Sequence, residues 1–180
     1  MNLPALAPQW LVFILLGLLT LAAIEDAIRC RISNFLSGAV LVSAVVAIAL
    51  AGPSLALWEN LLIFAAVLIV GTMLFSAGKL GGGDIKLLAA TALWFDLSGA
   101  LRLVAAVTIA GGLLAIIILV IRNVVWRRVP QPEGANPPTK GGIPYGIAIA
   151  AGAATAALTL HIPSKPYNPL EAPIPRLEGR

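Results

Sequence analysis

The sequence predicts an all-α fold, a polytopic membrane bundle of about six transmembrane helices with its N-terminus outside. Three observations predict it. The 180 residues are 59% hydrophobic and only 11% charged, with a mean hydropathy of +0.97. A soluble domain carries about 25% charged residues, so the shortfall is too large for an ordinary core. Uncharged apolar runs recur at close to the ~20 residues that cross a bilayer. Lys and Arg fall unevenly on the connections between those runs.

The first run covers residues 10–28. No Lys or Arg occurs before Ile24, so the basic start of a cleaved signal peptide is missing, and the segment reads as a retained helix. The second run is 35–51, ended by Gly52-Pro53, and the third is 57–77. The fourth is weak: only nine uncharged residues separate Lys86 from Asp96. A full span there needs a helix from Asp84 to Arg102 with charges at both interfaces; a short or re-entrant segment is the alternative. The fifth and sixth runs are 103–125 and 143–160.

Six spans put eight of the twelve basic residues on one side and four on the other. The positive-inside rule then turns the connections holding Arg29, Arg31, Lys79, Lys86, Arg122, Arg127, Arg128 and Lys140 toward the cytoplasm. Trp10, Trp58, Trp94 and Trp126 all fall at predicted helix ends, where aromatic belts form. The connection at 127–142 is rich in Pro and Gly and predicts an irregular loop. Five prolines between 163 and 175 exclude a continuous helix there. Residues 1–162 are therefore expected to form one membrane domain, followed by a Pro-rich tail at 163–180.

Cys30 is the only cysteine, which excludes a disulfide framework and a paired-cysteine zinc site, and no metal is expected. Of eight acidic residues, Glu133, Glu171 and Glu178 lie in Pro-rich segments, and Glu59 and Asp96 fall on the outer side. Glu25, Asp26 and Asp84 remain on the cytoplasmic side. Two aspartates from separate helices at one membrane depth can share a proton, because two close like charges resist joint ionisation. One then acts as base on water and the other as acid, the logic of an aspartyl protease. The same pair suits a small transporter's proton relay or a packing scaffold, and the glycines before Asp84 suit helix packing as well as an active-site break.

Gly81-Gly82-Gly83-Asp84 resembles the Gly-x-Gly-Asp signature of membrane-embedded aspartyl proteases, and the continuation Ile85-Lys86-Leu87 resembles type IV prepilin peptidases. Asp26 to Asn34 is similar to that family's first aspartate box, with Ser33 where Pro is common. Ile143-Pro144-Tyr145-Gly146 resembles its Pro-aromatic-Gly turn, with Ile147 where larger members often have Pro. The resemblance implies a membrane aspartyl endopeptidase with Asp26 and Asp84 as catalytic pair. Its substrate would be a prepilin or pseudopilin, a short basic leader followed by an apolar helix, cut at the cytoplasmic face of a bacterial inner membrane. With Cys30 alone and a tight turn after Asp26, the chain resembles the short, Flp-type branch, for which methyltransferase activity is not expected. No cofactor is required; the partners are the substrate and the lipid bilayer, with no nucleic acid.

Within that reading, Gly81, Gly82 and Gly83 let a substrate backbone approach Asp84. Asn34 and Tyr145 are candidate site liners, with capping of the second helix the alternative for Asn34. A helix start at Asp84 favours its ionised form by a few tenths to about 1 kcal/mol, leaving the proton on Asp26. Lys86, two residues on, faces away as an interfacial anchor. Glu25 points about 100° from Asp26 and serves as an internal control.

Overall fold

The computed structural model describes residues 1–52, 56–78, 80–128 and 145–161, all helix and short connections. The elements are α1 (Leu3–Leu6), α2 (Gln9–Arg29), α3 (Asn34–Ala51), α4 (Leu57–Ser76), α5 (Gly82–Ala92), α6 (Leu97–Arg128) and α7 (Tyr145–His161). The connection at 129–144 and the tail expected at 163–180 lie outside the described residues. So do Ile143 and Pro144 and the side chains of Trp126 and His161.

Among the described residues four helices are long and apolar enough to cross a membrane: α2, α3, α4 and α6 over Leu97–Ile121. The fold is therefore the expected all-helical membrane bundle, but two of the six expected spans are shorter. In α7 the apolar stretch is Tyr145–Leu158. The fourth segment does not run from Asp84 to Arg102 as a full span requires. It stops at Ala92, and Asp96 starts a new helix. The reason is local: Asp96 accepts the Gly99 N–H at 2.7 Å through its side chain, a helix N-cap that ends one helix and opens the next.

Short α5 is the post around which the bundle is built. Asp84, Ile85, Leu87 and the whole stretch from Ala89 to Ala92 are buried, and α5 packs against α3, α4 and α7. Its small side chains admit these close neighbours. Ile85 sits where a Cβ on Gly71 of α4 would be, only 2.4 Å from that position. The buried carbonyls of the turn that ends α5 need partners away from water. Asn60, fully buried at the start of α4, supplies them. Its Nδ2 donates to the carbonyls of Leu93 (2.9 Å), Phe95 (3.1 Å) and Met1 (2.8 Å). Leu3 N–H donates to Trp94 O at 3.0 Å, so α1 plugs the space below α5. Trp10 and Trp58 stand exposed at the starts of their helices, but Trp94 belongs to the core under α5 and not to an aromatic belt.

Candidate active site

Asp26 lies one turn before the end of α2, and its position follows from how that helix stops. Cys30 adopts the left-handed conformation (φ 50°) and donates its N–H to the Asp26 carbonyl at 2.8 Å. The chain then reverses within three residues. Ser33, standing where the resembled family commonly has Pro, caps α3 by accepting Leu36 N–H at 3.4 Å. Glu25 braces the same turn, accepting Ser33 N–H at 3.1 Å. The charge beside Asp26 is thus part of the scaffold that carries it. Exposed Arg29 pairs with half-buried Glu25 at 3.5 Å.

Asp84 is the third residue of α5. Its carboxylate reaches back to the Gly81 N–H, half of a capping box whose other half is absent because Gly81 has no side chain. The surrounding glycines do different work. A Cβ at Gly81 would meet Asp84 Oδ2 at 2.7 Å, and one at Gly83 would meet the Ile32 carbonyl oxygen at 2.9 Å. At Gly82 the nearest atom is Phe75 Cε2 at 3.5 Å, an ordinary contact. Gly83 therefore lets α5 press against the α2–α3 turn, while Gly82 has room.

The two aspartates come together. Asp26 and the turn residues Cys30, Arg31 and Ile32 line one side of a pocket of about 250 Å³, and Gly81 to Asp84 line the other. Both carboxylates are buried, Asp26 to 3% and Asp84 to 9% exposure. Two buried carboxylates in one pocket resist joint ionisation, so the pair is suited to sharing one proton.

The third contributor is the start of α7. Gly146 N–H donates to Asp26 Oδ2 at 2.6 Å and fixes that carboxylate from a position 120 residues away in sequence. A Cβ at Gly146 would lie 2.9 Å from Asp26 Cβ and 3.0 Å from Oδ2, so only glycine fits. The first N–H groups of a helix have no partner within it, which makes the start of α7 a ready donor to a carboxylate. The residue types of the Tyr145-Gly146 turn do not by themselves name this contact.

Other candidates sit elsewhere. Asn34 is exposed at the start of α3 and accepts Lys86 Nζ at 2.9 Å, tying α3 to α5 outside the pocket. Tyr145 packs its ring near Gly111 and lines a separate apolar cavity. Arg31, read from the sequence as a topology residue, lines the pocket itself. Among the described residues no cluster of His, Cys, Asp and Glu has metal-binding geometry.

A helical membrane bundle with two buried carboxylates in one pocket defines the class: a polytopic protein with acid–base capacity at a helix-bounded site. The family model described as the Type IV leader peptidase family matches residues 13–119. The chain belongs to that family. Membership supports a leader-peptidase activity in general, with membrane association and prepilin-like substrates. No curated protein and no solved structure matches the chain significantly.

Proposed function

We propose that the protein is an aspartyl endopeptidase that removes the leader of type IV prepilins of the Flp class at the cytoplasmic membrane face. One observation carries the reading. Two buried carboxylates from separate helices, Asp26 and Asp84, line one pocket, and the residues that bring them there are those of the matched family region and the start of α7.

In this mechanism a water binds between the carboxylates. Asp84 enters with the shared proton, hydrogen-bonds the scissile carbonyl oxygen and passes the proton to it as the attack proceeds. Asp26, held by Gly146 N–H, takes a proton from the water as its oxygen attacks the carbonyl carbon. The tetrahedral intermediate collapses as the proton on Asp26 passes to the leaving amine and the C–N bond breaks, and Asp84 recovers its proton. The pocket needs no metal for these steps. The eight-to-four split of Lys and Arg supports the cytoplasmic orientation.

A gel-shift assay tests the proposal. Co-expression with an Flp-type prepilin is expected to shorten the prepilin by its leader. An unchanged prepilin, with the peptidase present in the membrane, would refute the reading.

A further inference from the structure

A second cavity, of about 590 Å³, opens beside the carboxylate pocket between α4 and α6. Its existence follows from how the helices are pinned. Ile85 of α5 is seated on Gly71, fixing α4 to α5. Gly152 of α7 lies so close to Val107 that a Cβ there would be 2.8 Å from the Val107 nitrogen, fixing α6 to α7. The two outer helices are held mainly to different inner helices and touch each other only sparsely. The cleft runs along α6 from Val104 to Ala115, about 16 Å at 1.5 Å per residue, or three helical turns.

The chemistry of the lining restricts the occupant. The walls are almost wholly aliphatic, and the Thr108 hydroxyl is already used on the Val104 carbonyl at 2.7 Å. Apart from Tyr145, a segment lying there finds almost no polar partners, so nearly all its backbone hydrogen bonds must be internal, as in a helix. The cleft borders the carboxylate pocket through residues adjacent in the chain. Ile85 follows Asp84, Leu80 precedes Gly81, and Tyr145 precedes the Gly146 that holds Asp26; all three line it. A helix in the cleft would deliver the residues at its end to the two aspartates.

Resting on the leader-peptidase reading, we infer that the α4–α6 cleft is the docking groove for the apolar helix of the substrate. The groove selects for a helical, apolar segment immediately after the cleaved bond, and the pocket receives the unwound junction.

Site-specific photocrosslinking tests this. A photoreactive residue is placed at Val70 or Ala115, inside the cleft, or at Val45, exposed on α3 away from it. Each is carried in the Asp26→Asn background, so that full-length prepilin stays uncut. Val70 and Ala115 are expected to crosslink to the apolar helix of the prepilin at least tenfold more than Val45. A companion variant, Gly112→Trp, fills the open side of the cleft, where a Cβ meets nothing within 4 Å. It is expected to lower both the crosslink and leader removal at least tenfold. Crosslinks to lipid only, crosslinks to a second copy of the peptidase, equal capture at Val45, or full processing by Gly112→Trp would each overturn the groove. These outcomes differ from failure of the activity itself, in which the unsubstituted chain leaves the prepilin whole.

Discussion

Alanine substitutions along Gly81-Gly82-Gly83 should not behave alike. At 83 the new Cβ would stand 2.9 Å from the Ile32 carbonyl oxygen and 3.2 Å from Ile32 Cβ. Regaining an ordinary contact requires a shift of about half an ångström. The obstacle is backbone held in a three-residue turn, so α5 has to move, carrying Asp84 away from Asp26. Overpacking of this kind costs about 1–3 kcal/mol. A misplacement of about 1 Å costs a catalyst roughly 10²-fold, so half of that predicts a loss of roughly tenfold. At 81 the obstacle is the Asp84 carboxylate, 2.7 Å away, which can swing aside; Gly81→Ala should lose activity with little change in stability. At 82 the nearest atom is 3.5 Å away, and Gly82→Ala should stay within about twofold of the parent, helped by the higher helix propensity of Ala. The assay is the initial rate of leader removal by purified variants, with thermal unfolding of the same samples. Gly82→Ala as damaging as Gly83→Ala, or Gly83→Ala at the parental rate, would refute the reasoning.

Asp26→Asn should abolish leader removal while Glu25→Gln stays mild, because Gln keeps an acceptor for the Ser33 N–H; Glu25→Ala removes that brace and should lower stability by about 1 kcal/mol in a melting experiment. Asn60→Leu leaves the Leu93 and Phe95 carbonyls without their buried donor and should destabilise the bundle by on the order of 3 kcal/mol, read as a lower melting temperature in detergent.

Much of this fold was legible because burial in lipid leaves a compositional mark. The charge-free runs marked α2, α3 and α4 to within a few residues. The fourth segment was harder, since a helix core assembled from Ala and Thr has low hydropathy even when buried on every side. What stabilises it, Asn60 and the α1 plug, comes from 33 residues or more away along the chain. Trp94 illustrates the same limit: a Trp at a helix end suits a membrane interface or a core equally, and only the packing beneath α5 decides. At the site, the two aspartates were legible as charges with no other business beside a bilayer. The Gly146 contact was not, because a backbone N–H has no signature in residue type. Nor was the part of Arg31, whose place in the pocket depends on the tightness of the turn after Cys30.

The central claim is that Asp26 and Asp84 together cut a prepilin. Its most direct measurement is leader removal from a purified Flp-type prepilin in proteoliposomes, followed by mass spectrometry, with the parent chain, Asp26→Asn and Asp84→Asn side by side. The account predicts a single cut at the leader junction with the parent chain and none with either variant. Cleavage persisting in either variant, with both folded, would contradict it.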